Sequence, residues 1–187
     1  MFYFDDEKNV SEYTAMAEGF DGKDLILKLE KYLTPGASVL ELGMGPGTDL
    51  DILQEKYKAT GSDLSEVFLK NYNRIKPDIP LLKLDAVTID TELRFDCIYS
   101  NKVLHHLFRE QLELSLKRQF DVVHSGGFIL HSFWLGEGSE DFDGLFFQYY
   151  SLNELKEVAG KYFKVIDSWI YAEMEPQDSA ALILKRV

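Results

Sequence analysis

The sequence is poor in cysteine and in basic residues. Cys97 is the single cysteine, so the chain cannot form an internal disulfide or a metal site with several cysteine ligands, and we expect no metal site. Lysine and arginine number 20 against 32 aspartates and glutamates, a net charge of −12. Nucleic acids and anionic membrane surfaces both bind clustered basic side chains, so we expect neither as a partner.

Long apolar runs are also missing. No stretch reaches the ~18 residues that a membrane-spanning helix needs, although 45% of the residues are hydrophobic. The first ten residues, MFYFDDEKNV, are acidic where a secretory signal is basic. We therefore expect a cytoplasmic protein with one domain over residues 1–187, in which a helical cap (1–34) precedes a core (35–187).

The chain contains a regular alternation of short apolar strands and amphipathic helices. Strands are predicted at 38–42, 58–65, 79–87, 94–101, 126–134, 163–174 and 179–187, and helices at 22–33, 48–57, 65–75, 102–123 and 151–160. This order predicts an α/β fold, a doubly wound, mostly parallel seven-stranded sheet with helices on both faces. A short turn joins the last two strands, which should pair antiparallel at one edge. Ligands of such sheets bind beyond the carboxyl ends of the strands.

The stretch VLELGMGPGTDL places Gly43, Gly45 and Gly47 directly behind the first strand. Glycines at this position let the backbone approach a ligand closely. A Walker phosphate loop requires Gly-Lys-Ser/Thr, and no lysine follows Gly47. A dinucleotide fingerprint, G-x-G-x-x-G, requires a third glycine where Thr48 stands. The glycines alone therefore leave the ligand undecided.

Further motifs follow in order: GSDLS, LKLDAVTI, FDCIYSNKVLHHL and GGFILHSFW. Together with VLELGMGPGTDL they resemble the class I S-adenosylmethionine (SAM)-dependent methyltransferases, of the type that acts on small molecules. The resemblance implies SAM as cofactor and S-adenosylhomocysteine as product. It implies Asp63 as the acid that binds the ribose, and Asp85 with the backbone of Ala86 at the adenine. The other cofactor residues it implies are Glu41, Gly43, Met44, Gly45, Leu64 and Asn101.

The chemistry of the residues agrees with this cofactor but leaves alternatives open. SAM carries no phosphate, so no lysine is required. An acid at Asp63 would serve an NAD(P)-binding oxidoreductase equally well, since it lies at the end of the second strand. Short-chain oxidoreductases also carry a Tyr-x-x-x-Lys pair, and the spacing occurs here only at Tyr72 and Lys76, in the wrong helix. A SAM-binding protein without catalytic activity is the other alternative.

The resemblance also suggests where a methyl acceptor would bind. Some small-molecule members of the family use a histidine after strand 4 as a base, which points to His106, whereas helical geometry would turn His105 about 100° away. The leading segment of such enzymes folds over the cofactor, which implies a site role for Tyr13. Further candidate acceptor contacts lie on and beyond strand 5: His131, Trp134 and Tyr149.

Each of these candidates has an alternative structural interpretation. His106 could form a hydrogen bond with the backbone, and Tyr13 could lie on the packing face of an amphipathic helix. His131 could be a hydrogen-bonded histidine of the core. The acidic stretch after strand 5, with Glu137, Glu140, Asp141 and Asp143, could form a lid or a solvated loop. Methyltransferases that act on amino groups of nucleic acids carry an Asn/Asp-Pro-Pro-Tyr/Phe motif after strand 4. This chain has YSNKVL there instead. We therefore expect transfer to an O or N atom of a small molecule.

Overall fold

A seven-stranded sheet forms the centre of the computed structural model, which describes residues 3–142 and 144–187. The strands are β1 Ser38–Leu42, β2 Lys58–Asp63, β3 Leu81–Lys83, β4 Phe95–Asn101, β5 Val123–Trp134, β6 Ser139–Phe142, β7 Leu145–Gln148, β8 Lys164–Tyr171 and β9 Ser179–Lys185. The sheet has the order β3-β2-β1-β4-β5-β9-β8, while β6 and β7 form a separate hairpin. Strand β9 runs antiparallel to both neighbours and the other pairs are parallel. The predicted fold is confirmed.

Six helices within the described residues surround the sheet, and serine caps fix the start of two of them. They are α1 Glu7–Met16, α2 Lys23–Leu29, α3 Thr48–Gln54, α4 Glu66–Ile75, α5 Arg109–Val122 and α6 Leu152–Gly160, with 3-10 turns at Tyr3–Asp5 and Leu104–His106. The Ser65 hydroxyl accepts from the Phe68 N–H at the start of α4. Ser151 and Glu154 form a capping box on α6. Such caps satisfy amides that the first turn leaves unpaired.

The core consists of two apolar layers, one on each face of the sheet. Successive side chains of a strand point to opposite faces, so Val39 packs with the layer of α2 and α3, whereas Leu40 and Leu42 pack with the layer of α5 and α6. All three side chains are fully buried. Burying a side chain of this size contributes about 1.5–3 kcal/mol, so the two layers hold the strand ends in place beneath the site.

The segment after β4 departs from the prediction of a continuous helix from residue 102. Lys102 has a positive φ of 55°, a conformation that cannot begin an α-helix. Its N–H donates to the Ser132 hydroxyl of β5 at 3.0 Å, which fixes this turn. A 3-10 turn at Leu104–His106 follows, and α5 begins only at Arg109.

The acidic segment after β5 is also more ordered than a solvated loop. Strands β6 and β7 pair antiparallel over Ser139–Phe142 and Leu145–Gln148. Glu140 and Asp141 lie on β6 with exposed side chains. Asp143, predicted to belong to the same acidic stretch, lies outside the described residues. The hairpin contacts the 3-10 turn that carries His105 and His106. Among the described residues no helix is long and apolar enough to span a membrane.

Candidate functional site

The glycine turn after β1 lies where the strand order reverses, between β1 and β4. Gly43, Gly45 and Gly47 all have positive φ, at 67°, 50° and 90°. A Cβ on Gly43 would lie 2.6 Å from Val103, too close for any side chain. Met44, between the first two glycines, is buried, and its N–H donates to the Ser62 carbonyl at 2.8 Å. The turn therefore presents bare backbone at the carboxyl edge of the sheet.

Asp63, the last residue of β2, faces the glycine turn. One carboxylate oxygen accepts from the Gly45 N–H at 2.9 Å and the other from the Ser65 N–H at 2.8 Å. Burial raises the pKa of this carboxyl, and the backbone N–H bonds oppose that shift. The next residue, Leu64, is half-buried. The structure thus brings together Gly45 and Asp63, two residues predicted to bind the same cofactor.

Glu41 is buried beneath the turn, at 3% exposure. Its Oε2 atom has no hydrogen-bond partner among the described residues. Burial, together with the carboxylates of Asp49 and Asp63, raises the pKa of Glu41 well above its usual range. A buried carboxyl oxygen without a partner is costly, and a bound ammonium group would satisfy it. The methionine end of SAM carries such a group, so the residues present fit this cofactor.

Asp49 is a site residue that the sequence prediction missed. It is buried in the first turn of α3 and accepts from the Gly22 N–H at 2.6 Å, the Tyr99 hydroxyl at 2.6 Å and the Asn101 side-chain amide at 3.1 Å. Asn101, predicted to bind cofactor, also accepts from the Ser132 hydroxyl. Asp49 was detectable as the acid two residues after the third glycine. It links the cap, α3 and β4 beside the glycine turn.

Asp85 and Ala86 follow β3 at the same edge. The Asp85 carboxylate accepts from the Val87 N–H at 2.6 Å, which closes a tight turn. The Ala86 carbonyl accepts from the Ser115 hydroxyl of α5 at 2.6 Å. Both residues are half-buried. The turn is therefore fixed from two sides, at the place where the resemblance puts the adenine.

Tyr13 of α1 reaches over the glycine turn from the cap. A Cβ on Gly45 would lie 3.8 Å from the Tyr13 ring. Tyr13 packs edge-on against Phe4 and Phe68, with ring centroids 5.2 and 5.9 Å away. Burial raises the pKa of its hydroxyl, and so do Asp63, Asp49 and Glu173. The cap thus covers the glycine turn with the Tyr13 ring.

His105 and His106 lie together, which contradicts the expectation that they face different places. Their ring centroids are 4.0 Å apart, and both rings contact Phe147 of β7. The expectation assumed a regular α-helix, whereas these residues occupy the 3-10 turn under the hairpin. His106 Nδ1 lies 2.7 Å from the Phe146 carbonyl. Burial lowers the pKa of both imidazoles.

His131 does not contact the site, and its predicted role in acceptor binding is wrong. Its side chain is buried at 1% exposure. Nδ1 lies 2.8 Å from the Ser100 hydroxyl and Nε2 lies 2.7 Å from the Gln119 side-chain oxygen. Because burial lowers its pKa to about 3, the ring is neutral. Both nitrogens are satisfied inside the core, so no capacity remains for a ligand.

Trp134, at the end of β5, lies against a lysine rather than open space. The Lys102 ammonium lies 3.4 Å from the Trp134 ring centroid. It also pairs with Glu173 at 3.2 Å and donates to the Ser179 hydroxyl at 2.5 Å. Burial lowers the Lys102 pKa to about 8, although Glu173 opposes this shift. Sequence reasoning missed Lys102 and Glu173, because only the left-handed turn at Lys102 joins them to Trp134.

Tyr149 belongs to the base of the hairpin. Its hydroxyl donates to Glu140 of β6, and a Cβ on Gly136 would lie 3.2 Å from Tyr149. Burial raises its pKa to about 12, with Glu140 contributing. No hydrogen bond in the described part of the chain joins Tyr149 to the glycine turn or to the two histidines. Tyr149 therefore helps to hold the hairpin in place.

Part of the chain matches a family of known proteins. Residues 39–127 match a family model described as a methyltransferase domain. The chain is 29% identical over 123 residues to an uncharacterized 37.1 kDa protein in transposon TN4556 of Streptomyces fradiae. That match covers 62% of this chain and 33% of the relative, so the chain spans about a third of the curated relative's length.

Solved structures share the fold at low sequence identity. A SAM-dependent methyltransferase from Clostridium acetobutylicum has a TM-score of 0.78 at 13% identity, with 94% of this chain and 98% of that chain covered. The 1,6-didemethyltoxoflavin-N1-methyltransferase of Burkholderia thailandensis, with bound S-adenosylhomocysteine, has a TM-score of 0.75 at 19% identity, with 95% and 87% covered.

The motifs, the sheet order and the matched family model lead to one assignment. The glycine turn, Asp63 and the buried Glu41 fit a cofactor with a ribose and an ammonium group and no phosphate. The matched model covers the first strand through the start of the fifth. Residues 39–127 match a methyltransferase domain, and the chain shares its fold with SAM-dependent methyltransferases of known structure.

Proposed function

We propose that the protein transfers a methyl group from SAM to an O or N atom of a small molecule. The observation that carries this proposal is the orphaned Oε2 of Glu41 beneath a side-chain-free glycine turn, with Asp63 across from it. The Burkholderia protein, named as an N1-methyltransferase, supports a small-molecule acceptor and a nitrogen target.

The cofactor would lie along the carboxyl edge of the sheet. Glu41 would take the ammonium group, the backbone at Gly43, Met44 and Gly45 would approach the methionine portion, and Asp63 with Leu64 would hold the ribose. Asp85 and Ala86 would flank the adenine, and Asn101 would border the methionine end through Asp49. When bound, SAM supplies an activated methyl group that transfers as the acceptor's lone pair forms a bond to carbon and the sulfur–carbon bond breaks.

The protein's own contribution is alignment, exclusion of water and removal of one proton. Alignment alone can supply about 7–11 kcal/mol of the barrier. Because the Phe146 carbonyl can only accept, His106 Nδ1 is the protonated nitrogen and Nε2 carries a lone pair. His106 is thus set up as a base for an acceptor N–H or O–H. Tyr13 and the hairpin flanked by Trp134 and Tyr149 would cover the acceptor.

Calorimetric titration with SAM, S-adenosylhomocysteine, NAD⁺ and NADP⁺ tests the cofactor. We expect micromolar binding of the first two and no heat from the nicotinamide cofactors. Turnover of SAM with a panel of amines, phenols and amides then separates an enzyme from a SAM-binding protein without activity. Binding of NAD⁺ or NADP⁺ in place of SAM would reject the proposal.

A further inference from the structure

His105 is the buried side chain that the proposed mechanism leaves unused. It is 1% exposed, and neither ring nitrogen has a hydrogen-bond partner in the described ranges 3–142 and 144–187. Leaving a buried polar atom unsatisfied destabilises the folded state. His131, equally buried, has both nitrogens bonded. The same fold therefore satisfies one core histidine and leaves the other with an open donor and an open acceptor.

The open nitrogens of His105 lie beside the open nitrogen of His106. The His105 ring stacks on Phe147 at 5.3 Å with an interplanar angle of 17°, and the His106 ring is 4.0 Å away. Val103, two residues earlier, packs against Gly43 of the glycine turn, so the pair is close to the cofactor edge. Together the two neutral rings offer one N–H donor and two lone pairs, since Nδ1 of His106 is already used.

The two rings lie in an apolar setting against Phe147. Burial lowers the pKa of both imidazoles, so they are neutral near pH 7. Lys102, whose charge also lowers the pKa of His105, is paired with Glu173 at 3.2 Å and donates to the Phe133 carbonyl at 3.2 Å. An ammonium or carboxylate brought against the rings would be buried without a counter-charge, which is strongly unfavourable. A neutral ligand with both a donor and an acceptor meets no such penalty.

We propose that His105 and His106 together select an uncharged acceptor whose methylated N–H or O–H adjoins a carbonyl or ring-imine group, as in a lactam or amide. This inference rests on the proposed function. His105 N–H donates to the carbonyl or imine, and His106 Nε2 accepts the hydrogen of the methylated atom. In the reaction the acceptor lone pair forms the bond to the methyl carbon, the sulfur keeps the electrons of the broken bond, and the proton passes to His106 Nε2.

The test uses 2-pyridone, a lactam with N–H beside C=O, and three matched probes. N-methyl-2-pyridone lacks the donor, benzylamine is cationic and benzoate is anionic. The ring ¹⁵N resonances of His105 and His106 are followed in the complex with S-adenosylhomocysteine, whose own affinity is measured first on the same sample. We expect 2-pyridone to shift both rings with an affinity at least tenfold above that of each other probe.

Two variants separate recognition from packing. His105→Phe keeps the stack on Phe147 and removes both open nitrogens, so we expect an equal or higher Tm, an unchanged affinity for S-adenosylhomocysteine and at least tenfold weaker binding of 2-pyridone. His105→Gln keeps one donor and one acceptor and should recover part of that loss. The exposed His124→Phe serves as the matched control and should leave all three quantities unchanged.

Several results would overturn the inference while leaving methyl transfer intact. They are equal binding of 2-pyridone to wild type and His105→Phe, preferential binding of benzylamine or benzoate, and no response of the rings to any probe in a sample that binds S-adenosylhomocysteine. A wild-type protein that does not bind S-adenosylhomocysteine would instead reject the proposed function itself.

Discussion

At the scale of single residues, Asp63 connects the second strand to the glycine turn. Its carboxylate accepts the Gly45 N–H and faces the place proposed for the ribose. Hydrogen bonds to a charged group contribute about 1.5–3 kcal/mol, so we expect Asp63→Ala to weaken SAM binding by about 10- to 100-fold without loss of the fold. Titration calorimetry and circular dichroism measure the two effects. The exposed Asp78→Ala is the control, and an Asp63→Ala affinity equal to wild type would remove Asp63 from the ribose site.

His106 and His124 form a natural pair for testing a catalytic base. Removal of a general base slows turnover by about 10²- to 10⁴-fold. We therefore expect His106→Ala to bind SAM like wild type and to turn over at least a hundredfold more slowly. His124 is exposed, away from the hairpin, and His124→Ala should match wild type in both assays. If His106→Ala kept full turnover, His106 would only hold the Phe146 carbonyl.

Which acids lie at the carboxyl edge of the sheet was predictable from sequence, whereas contacts made through the fold were not. Glu41, Asp63 and Asp85 each lie within two residues of the carboxyl end of a strand, so position along the chain places them at one edge. His131 also lies near a strand end, yet Ser100 and Gln119 satisfy it inside the core. Its partners come from β4 and α5, and no local sequence pattern predicts them.

At the scale of elements, the cap is held by a small aromatic cluster separate from the main core. Phe4, Val10 and Phe68 form its buried part, with Tyr13 and Leu145 packed against it. The Ser65 hydroxyl also donates to the Phe4 carbonyl at 2.5 Å. Leu145 belongs to β7, so the cap and the hairpin meet across the glycine turn. The two elements thus form one cover over the cofactor edge.

Removal of residues 1–17 should open this cover and leave the sheet intact. We expect the truncated protein to lose only the helical circular dichroism of α1, to bind SAM at least tenfold more weakly and to exchange the Gly45 amide faster. Because Tyr13 covers Gly45 in the full chain, amide exchange reports directly on this contact. Met16→Ala, at a position 69% exposed, is the control for an unrelated change in α1. A truncated protein with wild-type affinity would show that the cap does not contribute to the cofactor site.

Element types followed from the sequence better than element boundaries. The alternation of strands and helices predicted the sheet correctly, because the periodicity of apolar residues reflects which side chains are buried. The predicted helix from residue 102 was wrong at its start, because the bond from Lys102 N–H to Ser132 holds a left-handed turn. The hairpin was not predicted, since its strands carry exposed acids and half-buried aromatics that also suit a loop.

At the scale of the whole molecule, a buried polar chain crosses from the sheet to the turn after β3. His131 bonds Ser100 and Gln119, the Gln119 amide donates to Ser115 at 3.0 Å, and Ser115 donates to the Ala86 carbonyl at 2.6 Å. The chain joins β4, β5 and α5 beneath the proposed adenine site. Such networks stabilise only when every member is satisfied, so protonation of His131 should destabilise the entire fold.

The sign of this effect follows from the pKa of His131. Burial lowers it to about 3 in the folded state, against about 6.5 in an unfolded chain. Between these values the unfolded chain binds a proton that the folded protein does not, so the free energy of unfolding falls as the pH drops from 6.5 towards 3. The free energy of unfolding falls by up to about 1.4 kcal/mol per pH unit in this range. Above pH 6.5 the contribution of His131 to it is constant.

Comparison with His131→Asn isolates this contribution from the other titrating groups. Glu41 and Asp63, whose pKa values are raised, make the free energy of unfolding change with pH in the opposite direction. His105 and His106 make it change in the same direction as His131. These four groups are present in both proteins, so their effects cancel in the comparison. We expect the variant to be less stable than wild type at pH 7 and to lose less stability on acidification. The difference in urea unfolding free energy should therefore shrink by about 2 kcal/mol or more between pH 7 and pH 4. Parallel pH profiles would show that His131 titrates normally and that the buried chain tolerates its charge.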